Sequence, residues 1–126
     1  MLDDATLVAF IPVRDTALAR PFYEATLGLR VVADTPFALV IDANGTEIRI
    51  TPVPDLRPQP FTVAGWQVDD IAATVAELVQ RGVMFNRYDG MTQDDAGIWH
   101  TPGGDRVAWF PDPDGNTLSL TQPAPG

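Results

Sequence analysis

Apolar positions along the chain arrive in two similar series. The first runs Leu7-Val8-Ala9-Phe10-Ile11-Pro12-Val13, then Arg14-Asp15 and a helical segment closing at Leu27-Gly28-Leu29. The second runs Phe61-Thr62-Val63-Ala64-Gly65-Trp66-Gln67-Val68, then Asp69-Asp70 and a helical segment closing at Arg81-Gly82-Val83. Asp15 precedes Gly28 by 13 residues, and Asp70 precedes Gly82 by 12. Each Asp stands where a helix N-cap belongs, its carboxylate placed to accept amide protons of the first turn. Each Gly stands where a left-handed C-cap belongs. Ile71, Val75, Leu78 and Val79 form one apolar stripe at helical spacing, and Leu18, Phe22, Tyr23 and Leu27 form its counterpart. Pro21 removes one backbone hydrogen bond and predicts a kink or a late restart in the first helix.

Strand-like runs follow each helix. In the first half they are residues 29–32, 37–41 and 47–51, and in the second 83–87, 107–110 and 117–121. Asp42-Ala43-Asn44-Gly45 and Asp112-Pro113-Asp114-Gly115 are the turns before the last runs, the latter with the residue order of a type I turn. Each half therefore reads β-α-β-β-β, an α+β arrangement of two tandem modules. Module 1 covers about residues 5–51 and module 2 about residues 61–122, and the proline-rich stretch 52–60 is a stiff extended linker. From the capping Asp to the Gly of the last turn is 30 residues in module 1 and 45 in module 2. The surplus lies around residues 89–105, a long loop carrying Trp99 and the single histidine, His100.

Length and charge narrow the function classes. A chain of 126 residues buries enough surface for one compact domain. Its 14 Asp and 3 Glu stand against 8 Arg and no Lys, a net charge of −9 that argues against nucleic-acid and anionic-membrane partners. The absence of Lys excludes Schiff-base chemistry, and the absence of Cys excludes thiolate nucleophiles and Cys-ligated zinc. No apolar run approaches a membrane span, and the start of the chain lacks the basic residues of a signal peptide, so the expected location is the cytoplasm.

The paired modules, Phe22-Tyr23 ahead of Leu27-Gly28, and Asp112-Pro113-Asp114-Gly115-Asn116 ahead of a final strand resemble the vicinal oxygen chelate superfamily. That superfamily includes glyoxalase I, extradiol dioxygenases, fosfomycin-modifying enzymes and bleomycin resistance proteins, and the resemblance extends from about Leu7 to Gln122. It implies the glyoxalase/bleomycin resistance fold, in which two βαβββ modules form a curved mixed sheet around a cleft, and it implies a homodimer. It also implies where a metal would sit: on the first and last strands of both modules, at positions occupied here by Val8, Arg49, Val63 and Ser119. Two valines offer no lone pair, and an arginine brings positive charge. The expectation is therefore no catalytic metal and no cofactor.

Strand alternation carries that frame to a ligand site. If residues 8, 49, 63 and 119 face the cleft, so do Phe10, Pro12, Glu47, Thr51, Gly65, Gln67, Thr117 and Thr121, while Ile11, Val13, Ile48, Ile50, Leu118 and Leu120 pack beneath the helices. Phe10, Glu47, Arg49, Val63, Gln67 and Ser119, with Trp99 from the long loop, are then expected to bind a small organic molecule. Arg49 has two readings, a planar donor fork for an anion or a salt bridge with Glu47. Trp99, Trp109 and Tyr88 are candidates to stack on a flat ligand, although core packing is the expected role of Trp109. Asp89, Asp94 and Asp95 with His100 have two readings, a surface metal site or solvated loop acids, and their spacing, which matches no tight ligand motif, favours the second. The leading reading is a metal-independent small-molecule binder, with drug sequestration as one form. The alternative is an enzyme of lyase, isomerase or dioxygenase-like type, using His100 as base and Arg49 as anion clamp, or a metal at unusual positions.

Overall fold

The computed structural model describes residues 1–126. Contacts divide the chain into two compact units, Met1–Arg57 and Pro58–Gly126. In the first, β1 (Val8–Val13) lies parallel beside β4 (Thr46–Pro52), followed by antiparallel β3 (Leu39–Ala43) and β2 (Arg30–Asp34). In the second, β5 (Thr62–Gln67) lies parallel beside β8 (Thr117–Gln122), followed by antiparallel β7 (Arg106–Pro111) and β6 (Trp99–His100). The helix of each unit enters directly after its first strand: α1 (Thr16–Arg20) and α2 (Ile71–Gln80). These are the two four-stranded mixed sheets expected of tandem βαβββ modules. No helix is long and apolar enough to cross a membrane.

The two-residue period of the strands explains which face each sheet buries. Ile11, Val13, Leu39, Ile41, Ile48 and Ile50 are buried on one side of the first sheet, while Val8 and Phe10 stay exposed on the other. Ala108, Phe110, Leu118 and Leu120 are buried in the second unit with Ile71, Val75 and Leu78 of α2. Each fully buried Ile or Leu contributes about 1.5–3 kcal/mol through removal of apolar area from water, before the entropy of ordering it.

Both capping aspartates act as their positions predict. The Asp15 carboxylate accepts from Ala17 N at 2.8 Å and that of Asp70 from Ala73 N at 3.0 Å. Gly28 and Gly82 adopt the left-handed conformation, with φ of 72° and 93°. The regular α-helical geometry of α1 ends at Arg20, immediately before Pro21. The chain widens there into a π-helical segment, Pro21–Thr26, with Leu27 N donating to Phe22 O, and the longer repeat tolerates the missing proline N–H. Ala19 of α1 and Tyr23 of the widened segment are buried, while Leu18 of the expected stripe is left 74% exposed. Val79 likewise leaves the expected stripe of α2 and is 53% exposed.

The largest departure concerns the second strand of module 2. Residues 83–87 belong to no strand, although Asn86 N donates to Trp109 O at 2.7 Å. The edge position next to β7 is taken instead by the two-residue β6, inside the long loop. The last turns behave alike in purpose and differ in construction. Asn44 (φ 52°) and Gly45 (φ 93°) form a two-residue hairpin loop between Ala43 and Thr46. In the other, the buried Asp112 carboxylate accepts from Asp114 N, Asn116 N and Asn116 Nδ2, each at 2.9 Å.

Candidate functional site

Register fixes which side chains share the helix-free face of each sheet. In the first unit Phe10, Arg49 and Val40 stand on one rung, and Val8, Glu47, Asp42 and Arg30 on the next. Glu47 and Arg49 are two residues apart on β4 and project to the same side, where Arg49 Nη1 lies 3.4 Å from Glu47 Oε2. The salt-bridge reading of Arg49 is therefore realised. The Arg49 side chain remains about a third exposed, so the pair does not seal it from solvent.

The second unit carries an aromatic shelf. Gln67, Thr121, Val107 and Trp99 share one rung, and Gly65, Ser119 and Trp109 the adjacent one, on the side opposite Ala108, Leu120 and α2. Trp99 and Trp109 stack, with ring centroids 6.2 Å apart and planes 28° from parallel. Tyr88 meets Trp109 edge-on, with centroids 5.5 Å apart and planes at 85°. Both tryptophans are half-buried and Tyr88 is exposed, so the rings are braced by the sheet and still reachable. The expected core role of Trp109 is thus corrected: Ala108 and Phe110 take the buried side, which leaves Trp109 on the open one. Beneath the shelf, Gly65 matters because a Cβ there would collide with Ser119 Oγ.

Val63 departs from strict alternation. Thr62 pairs with Thr117 and Ala64 with Leu118, so Val63 is the extra residue of a bulge, half-buried and outside the regular rungs. Val8 keeps its place beside Glu47 on the open face. The four positions at which the resemblance leads one to expect a metal, Val8, Arg49, Val63 and Ser119, hold two hydrocarbon side chains, a guanidinium and a hydroxyl, a donor set that does not fit a divalent cation. No three His, Asp or Glu side chains come together as a metal-binding group.

His100 lies apart from the shelf. It pairs with Arg106, which pairs with Gln122, and Gln122 Oε1 accepts from Ile71 N at the start of α2, so this row belongs to the helix side of the sheet. Trp99 and His100 are consecutive in β6 and therefore point to opposite faces. The histidine's partner is Asp94, with Nε2 and Oδ2 3.2 Å apart. Partial burial pushes the Asp94 carboxyl up, but the Ile98 amide, the His100 ring and the Ala96 amide together hold it below the ordinary carboxylate value. Asp94 is thus an exposed loop acid that also serves as the hub of a turn, with Oδ1 accepting from Ala96 N at 2.9 Å and Ile98 N at 3.0 Å. A groove of about 640 Å³ beside α2, walled by Ala72, Ala76, Val79 and Met84, contains none of the expected binding residues.

The family description Glyoxalase/Bleomycin resistance protein/Dioxygenase superfamily matches residues 5–120, and the chain belongs to that superfamily. Among solved structures it is similar to TnmS3, an antibiotic binding protein from Streptomyces sp. CB03234, with 31% identity, a TM-score of 0.74, and coverage of 98% of this chain and 99% of that one. A glyoxalase/bleomycin resistance protein from the same Streptomyces strain is 31% identical, with a TM-score of 0.67 over 94% of this chain and 100% of that one. A superfamily member from Sphaerobacter thermophilus DSM 20745 is 25% identical, with a TM-score of 0.74 over 98% and 100%. No curated protein matches the chain.

Proposed function

We propose that this protein binds a small organic molecule with a flat unsaturated portion, on the open face of its second module and without a metal ion. The observation that carries the reading is the braced shelf of Trp99, Trp109 and Tyr88, with Gln67 and Ser119 as its polar groups. Stacked and edge-on aromatic contacts each contribute about 0.5–1.5 kcal/mol beyond area burial, so three rings provide affinity without a cation. Arg49 beside Phe10 supplies the first module's open face with a partly exposed donor fork for an anionic group, in exchange with Glu47. The similarity to an antibiotic binding protein, 31% identical over 98% of this chain, supports a complex organic ligand and a sequestering role. The same proposal places the protein in the cytoplasm as a homodimer, and sedimentation tests the dimer.

The alternative, an enzyme with His100 as base beside the ligand, has the placement of His100 against it. The histidine faces the helix side and is paired with Asp94. The test of binding is a titration with flat tricyclic dyes, cationic proflavine and anionic anthracene carboxylate, followed by tryptophan fluorescence. Saturable quenching that Trp99→Ala weakens supports the proposal, and the absence of saturable binding by any flat compound overturns it.

A further inference from the structure

The aromatic shelf is assembled from three separate pieces of chain, and only Trp109 stands on a long strand. Trp99 belongs to a strand of two residues, and Tyr88 to a loop without strand pairing. Neither piece has enough ladder hydrogen bonds to hold a ring in place, so something else must fix the loop.

Asn86 contributes, its Nδ2 donating to the Tyr88 hydroxyl at 3.2 Å and its N to Trp109 O at 2.7 Å, but the side chain that joins both ring-bearing segments is the half-buried Gln93. Gln93 Oε1 accepts from Tyr88 N at 2.8 Å, while Gln93 Nε2 donates to Asn86 O at 2.9 Å and to Gly97 O at 2.8 Å. Its backbone forms a bridge with Trp99. One amide thus ties the residue bearing the edge-on ring, the residue two before it and the turn leading into Trp99. We infer that Gln93 is the positioning residue of the shelf, acting through the backbone of Tyr88 and Trp99 without touching the ligand. The ligand arm of this inference rests on the proposed function, and the structural arm does not.

The chemistry requires glutamine. Two carbonyls need N–H donors and one amide needs an acceptor, a set that a primary amide satisfies and a carboxylate does not. Asn has the groups but a shorter reach, and Met has the size but no polar atoms. The surrounding turn is kept separately by Asp94 and by Arg87, whose Nη2 donates to Asp94 O at 2.8 Å and Asp95 O at 2.6 Å. Removing the glutamine amide therefore loosens the ring-bearing segments while the turn itself persists.

The test uses the full chain with Gln93→Met and Gln93→Glu. Two stacked indoles couple, so the far-ultraviolet circular dichroism of the wild type carries an exciton couplet from Trp99 and Trp109, a signal that general destabilisation with intact packing does not erase. Gln93→Met is expected to keep a cooperative thermal transition, to lose most of the couplet and to bind proflavine about tenfold more weakly through lost preorganisation. If Gln93→Met does not fold, Gln93→Glu decides, because it keeps the acceptor for Tyr88 N and sets a carboxylate against two carbonyls. A folded variant with an undiminished couplet overturns the inference, as does a wild type with no couplet. Failure of both proflavine and anthracene carboxylate to bind the wild type sinks the proposed function alone, since the couplet still reports on Gln93.

Discussion

Trp99 and Trp109 stack across neighbouring strands β6 and β7 with their ring centroids 6.2 Å apart. Trp109 is held by β7 between Ala108 and Phe110, which are both buried, whereas Trp99 sits on the sheet's outermost strand. The pair therefore combines a fixed floor with an edge residue whose removal barely disturbs the core. Trp99→Ala should lower thermal stability by only about 1 kcal/mol, the scale of one aromatic pair, in a denaturant or thermal melt. Trp109→Ala, which removes contacts to both Trp99 and Tyr88, should cost more.

Gly65 and Ser119 make a second testable pair. A Cβ at residue 65 meets Ser119 Oγ, so Gly65→Ala should destabilise by about 1–3 kcal/mol through overpacking. Removing the hydroxyl as well, in Gly65→Ala with Ser119→Ala, should recover part of that loss. A double-mutant cycle from chemical denaturation measures the coupling, and additive losses would contradict the contact.

The two ends of the charge scale should behave differently. Asp112 is buried and accepts three hydrogen bonds, so Asp112→Ala strands buried donors and should cost about 2–3 kcal/mol. Glu47→Gln breaks a partly exposed ion pair and should cost less than about 1 kcal/mol, less still in high salt. Urea midpoints at two ionic strengths separate the two cases.

Asp94 gives the pH dependence a sign. Its folded-state carboxyl titrates below the ordinary value, so the stability it contributes is fully present above the unfolded carboxylate range and is lost as pH falls through the depressed value. The difference in unfolding free energy between wild type and Asp94→Asn should be constant near neutrality and shrink only in acid. A difference that instead grew on acidification would contradict the hydrogen-bond assignment.

Much of the fold was legible because it is written in short-range chemistry: Asp15 and Asp70 as caps, Gly28 and Gly82 as helix ends, and Ile11, Val13, Ile48 and Ile50 as an alternating buried face. The faces of Phe10, Glu47, Arg49, Gln67 and Ser119 followed from the same period. The shelf was only half legible. A strand of two residues has no period, so β6 could not be read, and without β6 neither the stacking of Trp99 nor the opposite facing of His100 could be placed. Trp109 was readable in principle, since Ala108 and Phe110 pair with Leu120 and Leu118 on the helix side and leave it the other. Val63 escaped because a bulge adds one residue and breaks the count. Gln93 gave no local signal, for its three partners lie up to seven residues away along a loop.

Ligand binding on the aromatic face without a metal ion is put to the test by one titration. Protein stripped with a chelator is titrated with flat tricyclic dyes while tryptophan emission is followed, in wild type and Trp99→Ala. The expected result is saturable quenching that the chelator leaves unchanged and that Trp99→Ala weakens about tenfold, equivalent to about 1.4 kcal/mol. Binding that appears only when a divalent ion is restored, or that Trp99→Ala leaves untouched, would contradict it.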